Sequence, residues 1–237
     1  MRLDILKAMN AARRERRAGA LATRLSDGEQ RFVAAEAVPA DPLAEALEAA
    51  LRSGKSGLVE HAGESWFLTV LVPPVRLVMI GAVHISQALA PIAKIAGLDA
   101  TIIDPRTAFA TPERFPDAPL IAQWPDEALA AAPLDRYTAI CLLTHDPKID
   151  DRALVRALQA DCFYIGALGS RKTHAKRIER MRAEGFHESA LARIHAPIGL
   201  DIGAVSPAEI AVSIMGEIVA ALRKKPLRAE RGQGAAS

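Results

Sequence analysis

From Val75 onward, short runs of branched apolar residues alternate with helical segments: VRLVMI, then 86–96, ATIID, PLIAQ, 126–132, TAICLLT, 150–159 and CFYIG. Strands whose residues are apolar without polar alternation are buried on both faces, and a strand-helix-strand rhythm covers both faces by laying the strands parallel. The spacing therefore predicts an α/β fold, a doubly wound parallel sheet. Helices over 171–184, near 188–193 and over 207–224 follow. The last starts at Ser206-Pro207-Ala208-Glu209, where serine can cap, proline suits the first turn and glutamate can return a hydrogen bond.

Pro73-Pro74 separates this region from a different one, because two successive prolines lack amide donors and forbid a continued helix. We expect a small α+β domain over 1–73, a larger domain over 74–225 and a flexible basic tail over 226–237. In the first domain, a helix from Leu3 to about Arg17 precedes two strand pairs. ALATRLS and QRFVAAEAV are expected to turn at Asp27-Gly28, and GLVEH and SWFLTVLV at Ala62-Gly63, with a helix over 41–52 between the pairs. Ser53-Gly54-Lys55-Ser56 imitates the end of a phosphate loop, yet Ala49 stands in the first-glycine position and a helix precedes it.

Composition narrows the function classes. Thirty lysines and arginines face 28 acidic residues, and aromatic residues make up 4%, so neither a basic surface nor stacking platforms announce a nucleic-acid partner. Cys141 and Cys162 are too few for a disulfide framework and have no CxxC spacing, which points to a reducing compartment and no metal site. The start, MRLDILKAMNAARRERR, does not read as a secretory signal. The apolar stretch 66–93 is broken by Pro73, Pro74, Arg76 and His84, short of the roughly 20 apolar residues a span needs. A cytoplasmic protein with no membrane association is expected.

The candidate site residues fall at strand ends. Gly81-Ala82-Val83-His84-Ile85-Ser86 ends the first strand where a dinucleotide fold carries G-x-G-x-x-G. Gly81 suits the tight turn, while Val83 crowds the place where backbone approaches a pyrophosphate, which disfavours NAD(P). His84 then faces a ligand from the first helical turn or merely caps it. Asp104, at the end of the second strand, stands where an acid binds a ribose, or else is a turn residue before Pro105. His145 and Asp146 follow the fourth strand, an edge at which such sheets bind ligands. There they can act as acid, base or anchor, or simply cap the next helix.

Gly166, Gly169, Ser170 and Arg171 join a strand end to a helix start, a natural anion seat in which Arg171 can grip a phosphate; an ordinary turn into a basic helix is the alternative. His195, Gly199 and Asp201 belong to HAPIGLDIG, a loop too apolar for a solvated linker, which either lines the same pocket or packs without a ligand. No catalytic residue stands out, and both cysteines read as structural.

The segments GAVHISQALAPIAKIAGLDATIIDPR, FATPERFPDA, LTHDPKIDDRAL, YIGALGSRKTHAKR and RIHAPIGLDIGAVSPAEIAVSIMGEI resemble the carboxyl-terminal domain of the XdhC/CoxI family, over about 75–222. The resemblance implies a Rossmann-like domain and an accessory, chaperone role for molybdenum hydroxylases of xanthine dehydrogenase or CO dehydrogenase type. The chain would bind the molybdenum cofactor transiently and assist its sulfuration and insertion, as a maturation factor rather than an enzyme. The implied partners are the apo-hydroxylase and the cofactor-sulfurating cysteine desulfurase; a homodimer stays open. The family's motifs fall on Gly81 and His84, on His145 and Asp146, on Gly166, Gly169, Ser170 and Arg171, and on His195, Pro197, Gly199, Asp201 and Gly203. The chain departs from the family at Val83 and in lacking its G-S-S-P-R and G-G-C-V-E elements. An NAD(P)-dependent oxidoreductase is the alternative.

Overall fold

The chain before Pro74 is built around a four-stranded antiparallel sheet in the computed structural model, which describes residues 2–116 and 118–224. Its elements are helix α1 (Leu3–Arg14), strands β1 (Gly19–Arg24) and β2 (Gln30–Ala34), a 3-10 turn over Ala35–Ala40, helix α2 (Ala44–Ser53), and strands β3 (Gly57–His61) and β4 (Glu64–Leu71), with strand order β2-β1-β4-β3. Ile5 and Met9 of α1 pack on Leu21 of β1 beside Phe32. Leu47 and Leu51 of α2 are buried as well.

The β3–β4 hairpin turns at Ala62-Gly63, both at positive φ, as a primed two-residue turn demands. The β1–β2 hairpin departs from the expected two-residue turn. Its loop spans 25–29, with Asp27 held by the Arg24 guanidinium at 2.7 Å and accepting from the Glu29 amide at 3.0 Å. The second strand also stops at Ala34, because Ala-Glu-Ala is poor strand sequence and tightens into the 3-10 turn. Gly54, of the phosphate-loop look-alike, closes α2 in the left-handed conformation.

The apolar runs from residue 76 onward form a six-stranded parallel sheet. Its elements are β5 (Arg76–Ile80), α3 (His84–Ile95), β6 (Asp99–Ile103), β7 (Leu120–Ile121), α4 (Pro125–Ala131), β8 (Thr138–Leu142), α5 (Pro147–Gln159), β9 (Tyr164–Ala167), α6 (Arg171–Ala183), α7 (Glu188–Leu191), β10 (Ile194–His195) and α8 (Pro207–Lys224). The strand order β10-β9-β8-β5-β6-β7 reverses between β5 and β8. This is the Rossmann-like doubly wound arrangement, in which ligands bind at the carboxyl ends of the strands beside the reversal.

Alternate residues of each strand feed two separate cores. Leu77, Met79, Cys141 and Tyr164 point toward α3 and α8, while Val78, Ile80, Ile140 and Ile165 point toward α4, α5 and α6. Two-sided burial is what the unbroken apolar runs anticipate.

Several boundaries shift from expectation for local reasons. Helix α3 starts at His84 rather than 86, and α5 starts at Pro147 rather than 150, because proline fits the first turn and Asp146 caps it. The stretch taken as loop from His195 begins as strand: Ile194 and His195 pair with Ile165 and Gly166. Residues up to 73 and those starting at 74 belong to separate compact units. The tail expected from 226 lies outside the described residues. Among the described residues, no helix is long and apolar enough to cross a membrane.

Candidate functional site

The turn between β5 and α3 is held from beneath by Asp104, which is fully buried at the end of β6. Its Oδ2 accepts from the Ala82 amide at 2.7 Å and from Arg106 Nη2 at 2.8 Å, and its Oδ1 accepts from the Arg106 amide and Nε, each at 2.9 Å. Four donors saturate a carboxylate. Burial alone would raise the Asp104 pKa, but the Arg106 guanidinium and the two amides bring it below the usual carboxylate range.

Gly81 is needed here on two counts. Its φ is +115°, and a Cβ would stand 2.8 Å from Thr144 Cγ2 on the neighbouring strand end. Ser86 Oγ donates to the Gly81 carbonyl at 2.6 Å and completes the turn. No side chain caps α3, so its first-turn amides stay available at the sheet edge, with His84 exposed beside them.

After β8 the chain runs through Thr144, His145 and Asp146. His145 is exposed and adopts φ +61°, uncommon for a residue with a side chain. Asp146 caps α5 by accepting from the Lys148 amide at 2.9 Å. Thr144 Oγ1 donates to Asp150 Oδ1 at 2.7 Å; Asp150 is 2% exposed, and burial pushes its pKa up.

At the end of β9, Ser170 caps α6: its Oγ accepts from the Thr173 amide at 3.2 Å and lies 3.1 Å from Thr173 Oγ1. Gly169 has φ +129°. Arg171 is exposed and finds no partner among the described residues. The cations that line a cavity are instead Lys172, Lys176, Arg177 and Arg180, one face further round α6. This cavity, of about 190 Å³, is closed on the α5 side by His145 and Asp150.

The HAPIGLDIG loop is clasped to α8. Glu217 Oε2 accepts from the Tyr164 hydroxyl at 2.6 Å and the Gly199 amide at 2.7 Å, and its Oε1 lies 2.9 Å from His195 Nδ1. Burial would raise the Glu217 pKa, but His195, Tyr164 and the Gly199 amide hold it down. The Tyr164 and His195 rings lie 4.7 Å apart. Gly166 serves the same packing, since a Cβ there would stand 2.5 Å from Ile198 Cδ1 and 2.7 Å from Tyr164 Cε1. Asp201 is exposed further along the loop.

The structure thus divides the sequence-predicted residues. Gly81, His84, His145 and Asp146 gather at the β5 and β8 ends, and Gly169, Ser170 and Arg171 open α6. Asp104 lies beneath the first turn, while Gly166, His195 and Gly199 join the Glu217 clasp. Sequence reasoning passed over Arg106, Asp150, Arg177 and Glu217; all four sit in quoted motifs, and none has a local pattern that marks it.

Cys141 is fully buried and Cys162 nearly so. Burial drives the Cys141 thiol far up and the Cys162 thiol to about 12, so neither is a thiolate at neutral pH. Among the described residues, no three His, Cys, Asp or Glu side chains cluster as a metal site.

Residues 77–218 match the family described as the XdhC Rossmann domain. Three curated proteins are each 32% identical to the chain. The Escherichia coli protein YqeB, described as uncharacterized, aligns over 162 residues, 68% of this chain and 30% of its own length. The Escherichia coli molybdenum cofactor insertion chaperone PaoD aligns over 146 residues, 62% and 40%. A Bacillus subtilis protein described as a probable component of xanthine dehydrogenase aligns over 154 residues, 65% and 44%. The chain therefore spans less than half the length of these relatives. A Bacillus halodurans crystal structure described as a xanthine dehydrogenase superposes with a TM-score of 0.66 at 22% identity, over 94% of this chain and 66% of that one, and shares its fold. The chain belongs to the XdhC Rossmann domain family.

Proposed function

From this membership we propose that the chain is an accessory protein of molybdenum hydroxylase maturation. It binds the molybdenum cofactor at the carboxyl edge of its parallel sheet and helps deliver it, sulfurated, to an apo-hydroxylase of xanthine dehydrogenase or CO dehydrogenase type. The observation that carries the proposal is the match over 77–218, which takes in every strand end of the candidate site and the whole α5–α6 wall.

The residues present suit a pterin with a phosphate tail. The uncapped start of α3 offers amides and the positive end of a helix dipole to an anion, and the Gly81 turn brings backbone to the edge without a side chain. His84 and His145 are exposed beside it as polar anchors. The chemistry of the bound group is that of its molybdenum centre; the chain's own residues bind, orient and release it. Sulfur handling falls to a partner desulfurase, because both thiols of this chain are buried and protonated.

The nicotinamide alternative requires Asp104 open to a ribose. All four acceptor positions of that carboxylate are filled from within the protein, and Val83 occupies the place of the fingerprint's second glycine.

The test is expression with and without cofactor biosynthesis, followed by oxidation of the purified protein and quantitation of the fluorescent pterin. Pterin is expected only from cells that make the cofactor. Its absence from both preparations overturns the reading. Micromolar NADH or NADPH binding, read by nucleotide fluorescence, would favour the oxidoreductase.

A further inference from the structure

Arg177 is an anomaly within α6. It is 2% exposed, and its Nη2 donates to the Leu168 carbonyl at 2.8 Å. Its Nε and Nη1 are equally buried and have no partner among the described residues. A buried guanidinium with two unmet donors is costly, since each unmet donor forfeits its hydration. It is one of the residues that line the cavity between α5 and α6.

Three features define what would fit. The cavity has about 190 Å³, on the order of ten times what a single water occupies on this measure. Its cations outweigh its acids: Arg180 is committed to Asp151 at 2.5 and 2.9 Å, whereas Lys172 and Lys176 have no carboxylate partner among the described residues. Asp150 faces the cavity as its acid, with Oδ1 committed to Thr144. Lys172, Lys176 and Arg177 thus face one carboxylate, and the unmet Nε and Nη1 of a guanidinium are charge-assisted donors suited to an oxyanion.

We propose that the cavity between α5 and α6 binds a phosphate-class dianion, held by Arg177 at its base and by Lys172 and Lys176 at its mouth. His145 links this cavity to the β8 end of the candidate site. As the seat of the cofactor's phosphate end, the proposal rests on the function proposed above; as an anion site, it stands on the cavity alone.

The experiment has two arms. In the first, protein from cells lacking the cofactor is titrated with inorganic phosphate by calorimetry. Saturable phosphate binding is expected, weakened about tenfold or more in the Lys172→Gln/Lys176→Gln double variant at an unchanged unfolding temperature. Arg177→Met is expected to abolish it; if that variant fails to fold, the double variant decides. No saturable binding by the wild type, or equal binding by the double variant, overturns the site.

In the second arm, wild type and double variant are purified from cofactor-producing cells and their pterin is quantified. Lower pterin in the double variant supports the cofactor's phosphate end as occupant. Equal pterin beside weakened phosphate binding keeps the anion site and overturns that occupant. No pterin even in the wild type overturns the proposed function, while the titration stands by itself.

Discussion

Two polar clusters, one half-buried and one buried, flank the same parallel sheet, and they are finished differently. On the α3–α8 face, Glu217 takes Tyr164, the Gly199 amide and His195, and no buried polar side-chain atom of these residues is left over. On the α5–α6 face, Arg177 keeps one bond of a possible five and leaves Nε and Nη1 unmet. A cluster that satisfies itself is a fastening. A cluster that does not has donors in reserve, and the cavity beside it gives them a use.

Removing the Glu217 carboxylate should have the largest effect. Glu217→Ala strands a buried tyrosine hydroxyl, a histidine and a backbone amide, and should cost about 3–4 kcal/mol in urea unfolding. Asp104→Ala, which frees Arg106 and the Ala82 amide, should cost about 2–3 kcal/mol by the same measurement. Gly166→Ala pushes a methyl into Ile198 and Tyr164 and should lower stability by about 1–3 kcal/mol. Arg177→Met should change stability by no more than about 1 kcal/mol, because removing a buried charge offsets the lost bond to Leu168. If Arg177→Met proves as damaging as Glu217→Ala, the two clusters are alike and the contrast fails.

Acidity gives a finer discrimination. The Glu217 pKa is depressed in the folded protein below its ordinary value of 4.5, so its contribution is complete above pH 4.5 and is lost as pH falls through the folded value. The stability gap between wild type and Glu217→Gln should therefore shrink in acid below pH 4.5, as followed by the urea midpoint. Asp150 shifts the other way: burial raises its pKa, so its contribution is largest in acid and falls as pH rises past the ordinary aspartate value of 3.8. Asp150→Asn, which keeps an acceptor for Thr144, should gain stability relative to wild type as pH rises above 3.8.

The parallel sheet was legible because two-sided burial writes itself as unbroken apolar runs, and the α8 start because Ser206 and Glu209 are spaced to bond each other's backbone, as they do at 2.9 and 3.2 Å. Other features left no such trace. Arg177 is one of several cations in RKTHAKRIERMR, and only tertiary packing singles it out from Arg171. Glu217 follows a glycine in an apolar helix, where a lone acid reads as solvent-facing until Tyr164, His195 and the Gly199 amide arrive from distant segments. Asp104 was seen as a strand-end acid, but whether such an acid faces outward or inward depends on Arg106, two residues on, folding back over it.

The two ends of the parallel sheet, β7 and β10, are each two residues long. An incoming chain that sought to extend the sheet would find at most two residues to pair with, too short a seam for strand addition. The same brevity keeps the parallel sheet from templating its own polymerisation through these edges.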